Sequence, residues 1–204
     1  MQVSLVFPPS WIPSQPFLSL PSLQGFLKKE GVANVSIRDL NIEIMDALLS
    51  SEQVKKTHTN IIERLSNVTN PFGRENNKAD VFSRLEWARD VIEGENIVQN
   101  VEWAKATLRS EGFYNLDDYV ESWKIIDRWL QAFGMLYCPS EISIADNSMR
   151  YSVYSSVDVM RASEDELENP YRDLFKEYVL DSIVSEDPGL VGISVTATSQ
   201  VMPA

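Results

Sequence analysis

The spacing of apolar residues changes character several times along the chain. Val3–Phe7 (VSLVF) is a short apolar run stopped by Pro8-Pro9, which predicts a buried strand ending in a loop. From Leu18 the spacing turns helical. Leu20, Leu23, Phe26 and Leu27 share one face, Pro21 suits the first turn, and Gly31 after Lys28 and Lys29 closes the helix. Val35–Leu40 (VSIRDL) reads as a second strand. Strand, helix and strand at this spacing form a βαβ unit with parallel strands and a right-handed crossover. The strand ends at Pro8–Ser10 and Asp39–Asn41 then lie near each other, on the edge where open α/β sheets bind ligands.

Residues 42–136 carry helical periodicity. Helices are predicted at Ile42–Leu49, at Val54–Val68 with Ile61, Ile62 and Leu65, at Ala79–Ile92 and at Ile97–Leu108, with a break at Asn70-Pro71-Phe72-Gly73. A further helix, Leu116–Phe133, opens on Asp117-Asp118 and closes at Gly134. Leu85-Glu86-Trp87-Ala88-Arg89 is echoed by Val101-Glu102-Trp103-Ala104-Lys105, as in two helices that pack alike. Trp87, Trp103, Trp123 and Trp129 fall among apolar neighbours at helical spacing and are expected in the core. Ile142–Met160, rich in β-branched residues and tyrosine, has the composition of one or two short strands.

Ser163 before Glu164-Asp165-Glu166 reads as a helix cap, and Asn169-Pro170 starts another helix whose face is Leu174, Phe175, Tyr178, Val179 and Ile183. After the turn Asp187-Pro188-Gly189, Leu190–Val195 (LVGISV) reads as a third buried strand. The fold class is therefore α/β. It is a Rossmann-like (flavodoxin-like) parallel sheet truncated after its third main strand, with a large helical insertion. Residues 1–50 form its first part, 51–160 the mostly helical insertion and 161–204 its second part. A sheet that stops on a bare apolar strand is the expected mark of a piece of a longer protein.

Composition narrows the function classes. The 204 residues are 44% hydrophobic and 24% charged, enough apolar material for a packed core. A net charge of −12 argues against gripping nucleic-acid phosphates or an anionic membrane surface, each of which calls for a basic face. No apolar run approaches a membrane span and no basic leader precedes the first strand, so a cytoplasmic location is expected. With one cysteine, Cys138, and one histidine, His58, the chain alone supplies neither an iron–sulfur cluster nor a Cys/His zinc site. No nucleophile–base pair or phosphate loop stands out, so no catalytic and no metal-ligating residue is assigned. Cys138, beside Pro139, reads as structural.

Three pieces, in order, resemble one family. They are LVFPPSWIPSQPFLSLPSLQGFLKKEG at Leu5–Gly31, VSIRDLNIE at Val35–Glu43 and DPGLVGISVTATSQVMPA at Asp187–Ala204. Together they resemble the N-terminal B12-binding domain of cobalamin-dependent radical-SAM enzymes, in which the first strand ends in a Pro-Pro loop and the second in an Asp-Leu-Asn-like sequence. The resemblance covers the two ends of the chain and none of the helical middle. It implies cobalamin as the cofactor, and as the partner the rest of a parent enzyme, a methyltransferase or a maturase of peptides or small molecules. S-adenosylmethionine and the [4Fe-4S] cluster would belong to that missing C-terminal part, where the family's Cys-x-x-x-Cys-x-x-Cys lies. The chain departs from histidine-ligating cobalamin domains, since their Asp-x-His-x-x-Gly is absent and His58 sits in the polar helical stretch Lys56-Thr57-His58-Thr59-Asn60. The resemblance thus implies a cobalt that no protein histidine holds.

Pro9, Ser10, Trp11, Asp39, Asn41, Ser194, Thr196, Thr198, Ser199 and Gln200 are the candidate cofactor-binding residues. Gly192 would allow close approach, and the hydroxyls and amide after it can bond the amide side chains and phosphate tail of a corrinoid. Each also has a plainer reading. Ser and Thr cap a following helix, Trp11 covers the sheet, and Asp39 or Asn41 caps the helix near Ile42. The competing function is a cofactor-free, flavodoxin-like regulatory or protein-interaction domain.

Overall fold

The computed structural model describes residues 1–15, 17–67, 76–144 and 146–204. In chain order the elements are β1 (Val3–Phe7), α1 (Ser19–Lys29), β2 (Val35–Asp39), α2 (Leu40–Leu48), α3 (Ser51–Asn67), α4 (Asn76–Gly94), α5 (Ile97–Leu108) and α6 (Leu116–Gly134). Then follow two-residue strands β3 (Glu141–Ile142) and β4 (Asn147–Ser148), α7 (Ser156–Glu164), α8 (Pro170–Tyr178), α9 (Leu180–Ser185) and β5 (Leu190–Ile193). Two compact units result, Met1–Asp46 with Ala145–Ala204, and Ala47–Ile144. The Asn70–Gly73 break and Val68 lie outside the described residues.

The first unit is α/β, built on a three-stranded parallel sheet in the order β2-β1-β5. Val3 aligns with Val35 on one side and Leu190 on the other, and Phe7 with Asp39. Val3, Leu5, Phe7, Leu20 and Val35 form one buried cluster, with Trp11, Leu27 and Val32 packed on it. Gly31 takes φ +88, a conformation that favours glycine, and lets Val32 N–H return to the Leu27 carbonyl at 2.9 Å as α1 stops.

Two expectations for this unit need correction. The sheet-facing stripe of α1 is Leu20, Gln24 and Leu27, at i, i+4 and i+7. Gln24 donates Nε2 to the Val35 carbonyl at 2.8 Å, and this turns Leu23 and Phe26 to solvent. β5 is not buried. Leu190 and, on the opposite face, Val191 and Ile193 are all at least 41% exposed, and no described strand pairs with its outer edge.

Ser163 also has a different role, standing near the C-terminal end of α7. Ser155 caps that helix by accepting from Asp158 N–H. Asp165 then accepts from Leu167 and Glu168 N–H at 2.8 and 2.9 Å, and Asn169 caps α8. A serine followed by acids looks the same in sequence at either end of a helix.

The second unit is helical. α6 packs on α4 and α5, and α3 on the same pair. Asn115 caps α6 by accepting from Asp117 and Asp118 N–H. The five-residue echo keeps its meaning, since Leu85, Ala88, Val101 and Ala104 are buried in matching positions. The tryptophans divide, however. Trp129 is fully buried, Trp123 is half-buried, and Trp87 and Trp103 are 37% and 42% exposed. At the echoed position the indole lies outside the buried stripe that the neighbouring Leu or Val and Ala form.

Candidate functional site

All ten candidate residues belong to the first unit, at the carboxyl ends of the three parallel strands and in the loops that follow. Side-chain amides tie those loops together. Asn41, at the start of α2, accepts the Trp11 backbone N–H on Oδ1 at 2.9 Å, so the loop after β2 holds the loop after β1. Gln200 does the same from the β5 side. Its Nε2 donates to the Pro8 carbonyl at 2.7 Å, and its Oε1 accepts from Thr196 N–H, Thr196 Oγ1 and Ala197 N–H at 2.9, 2.9 and 3.2 Å. Ser199 Oγ donates to the Ser10 carbonyl at 2.9 Å.

Burial separates these residues by role. Pro9, Ser10, Asn41 and Gln200 are buried, Gln200 completely. Polar atoms of Ser10, Asn41 and Gln200 take part in the bonds that hold the loops in place. Trp11 packs edge-on against Phe17, which stacks on Phe7, and its Nε1 donates to the Gln15 carbonyl at 2.8 Å. Asp39, rather than Asn41, caps α2 by accepting Ile42 N–H at 3.2 Å. Burial pushes its carboxyl above the ordinary value, against the pull of the Ile42 and Asn41 N–H groups. Ser194 Oγ donates to Ser19 Oγ at 2.9 Å. The close approach at Gly192 is made by Leu5, whose Cδ2 would lie 3.0 Å from an added Cβ. Thr196 and Thr198 are exposed.

Two further residues complete the network. Asn147 Nδ2 donates to the Tyr171 hydroxyl at 3.1 Å and to the Ser199 carbonyl at 3.0 Å. The Tyr171 hydroxyl also bonds Ser10. Asn169-Pro170 marks the helix whose first turn carries Tyr171, but no local pattern announces either bond.

Burial raises the Tyr171 phenol to about 12, only partly opposed by Ser10 and Asn147. An unfolded tyrosine titrates near 10. Between these values the folded protein keeps a proton that the unfolded chain has lost. Stability is therefore whole below the unfolded value and falls as pH rises toward the folded one, by up to about 1.4 kcal/mol per pH unit. Urea unfolding at about pH 9 and about pH 11 checks this, and Tyr171→Phe should flatten the alkaline fall.

His58 lies in α3, its Nε2 2.8 Å from Glu93 in α4. Among the described residues no group of three or more His, Cys, Asp or Glu side chains is placed to hold a metal ion. Likewise, no helix among them is long and apolar enough to cross a membrane. No protein-family model, no curated protein and no solved structure matches this chain.

Proposed function

We propose that the first unit is a cobalamin-binding module of Rossmann-like, flavodoxin-like type, serving a radical-SAM methyltransferase or maturase. The observation that carries the reading is the strand order. The chain leaves β1 for β2 on one side and returns with β5 on the other, which makes the boundary between β1 and β5 a topological switch point, its two loops joined by the Gln200–Pro8 and Ser199–Ser10 bonds. In open α/β sheets ligands sit in that crevice, outside the carboxyl ends of the strands. Here the carboxyl ends of the strands carry loops that Gln200, Asn41 and Ser199 hold together, with Thr196 and Thr198 exposed beside them.

The residues present fit a corrinoid's needs. The Thr198 hydroxyl can both donate to and accept from amide side chains, the Thr196 hydroxyl, which donates to Gln200 Oε1, can accept, and the loops are tied before any ligand arrives. Thr196 and Thr198 would contact the cofactor, while Pro9, Ser10, Asn41, Ser199 and Gln200 would hold the frame. Bound there, cobalamin supplies cobalt-centred group-transfer chemistry to the partner domain. The test is to mix the protein with hydroxocobalamin, desalt it and record the visible spectrum. A corrin spectrum that travels with the protein is expected. A colourless protein fraction overturns the reading.

A second reading, a cofactor-free interaction domain, draws on β5. Its apolar residues are exposed on both faces beside an edge that no described strand pairs, as in a strand that another polypeptide covers. A colourless fraction together with reversible self-association in sedimentation would favour it.

A further inference from the structure

The helical unit carries an aromatic face outside its core. α6 buries Ile125, Ile126, Trp129, Leu130 and Phe133. Leu116, Val120 and Trp123, at i, i+4 and i+7, form a second apolar stripe along the first half of the same helix, with Leu116 and Val120 exposed and Trp123 half-buried. The turn before α6 brings two more rings, Phe113 and Tyr114, to this end of the unit. Four rings then touch in order. Tyr114 lies 5.4 Å from Phe113, Phe113 lies 5.3 Å from Tyr119, and Tyr119 lies 6.0 Å from Trp123, centroid to centroid. Tyr114, at the outer end, is 86% exposed, too open to stabilise the fold through its own burial.

The ring geometry narrows what such a face can hold. The two outer contacts are edge-on, with interplanar angles of 87° and 81°. Rings set edge to face present notches rather than one flat platform. A sugar ring stacks on a platform, whereas a proline ring seats in a notch, as in the aromatic-lined grooves that take polyproline II segments. A polyproline II segment has no internal hydrogen bonds, so its carbonyls are open to donors, which those of a helical partner are not. The Tyr114 and Tyr119 hydroxyls and Trp123 Nε1 are donors carried on the rungs themselves.

Charge narrows it further. From Ser110 to Trp123 the chain has four acids, Glu111, Asp117, Asp118 and Glu121, and no lysine or arginine. Of these, Glu121 pairs with Lys124 at 3.6 Å. Carboxylates beside ring faces favour a cationic visitor twice, through their charge and through the π-clouds.

We propose that the aromatic ladder Tyr114–Phe113–Tyr119–Trp123 is a docking site for a proline-rich segment of another protein, held in the polyproline II conformation and carrying lysine or arginine between its prolines. The site lies within the helical unit and stands whether or not the first unit retains a corrin.

The probe is a fluorescein-labelled peptide of four lysines separated by Pro-Pro pairs, titrated with the full chain and read by anisotropy. One control replaces every proline with alanine and keeps the charge. A second replaces every lysine with glutamate, and cellohexaose serves as a carbohydrate arm. The proline–lysine peptide is expected to bind with a Kd below about 100 µM, both control peptides at least about tenfold more weakly, and cellohexaose not at all. Tyr114→Ala, at an exposed position, is expected to weaken binding about fivefold or more with the urea midpoint unchanged. Glu111→Gln with Asp117→Asn leaves the rings in place and is expected to weaken it about threefold or more. No peptide binding up to about 1 mM, equal binding of the alanine peptide, binding of cellohexaose in the peptide's place, or unchanged affinity in either variant would each overturn the proposal.

Discussion

Gln200→Leu should destabilise the first unit by about 3 kcal/mol or more, the largest loss expected from a polar residue in this protein. The Gln200 side chain is fully buried and serves four groups at once, the Pro8 carbonyl, the Thr196 and Ala197 N–H groups and the Thr196 hydroxyl. Leucine has nearly the same volume, so packing survives while the partners lose their bonds. A buried orphan costs roughly 1–3 kcal/mol, and the Pro8 carbonyl and the two N–H groups carry most of it. Thr196→Val removes one hydroxyl donor to Gln200 from the same cluster, leaves both backbone N–H bonds in place, and should cost less than about 1 kcal/mol. Urea unfolding of the two variants side by side decides the matter. Equal losses would mean that the Gln200 amide holds nothing the threonine does not.

The second large effect belongs to the helical unit. Trp129→Ala is expected to cost about 3–5 kcal/mol, the range for deleting a large aromatic from a closed core. Trp129 is fully buried, its ring 6.1 Å from that of Phe133, and its Nε1 donates to the Leu48 carbonyl at 2.9 Å. Trp129→Phe keeps most of the packing and leaves Leu48 without its donor, so it should cost about 1–3 kcal/mol. Trp103→Ala, at 42% exposure, should shift stability far less. Helical ellipticity followed through a urea titration separates the three. A Trp103 variant as unstable as the Trp129 variant would refute the division between them.

Much of the sheet was legible because its signals are local. The VSLVF run before two prolines, and VSIRD after a glycine-ended helix, fix β1, α1 and β2 nearly to the residue. The strand-end residues were legible for the same reason, since chain order and the βαβ rule bring those ends together. What escaped depends on partners far away in sequence. An apolar run such as LVGI reads as buried, and only the sheet order reveals that one side of β5 lacks a described neighbour. Gln24 faces the sheet because a carbonyl of β2 waits there, and periodicity cannot show that. The exposed Trp87 and Trp103 follow from the narrow stripe that α4 and α5 bury. Asn147 and Tyr171 left no local trace because their bonds span long stretches of chain.

The bond from Gln200 to Pro8 spans 192 positions, and β1 meets β5 over a comparable distance. That fixes an order of events at the ribosome. β1, α1 and β2 emerge first, yet the middle strand of the sheet must wait until Leu190–Ile193 has been translated before its second neighbour exists. The helical unit, by contrast, closes on contacts within Ala47–Ile144, all of it translated before β5. A chain ended at residue 144 and released would therefore carry the helical unit and the β1–β2 pair, its first-strand loop held by Asn41 and without the Gln200 bond.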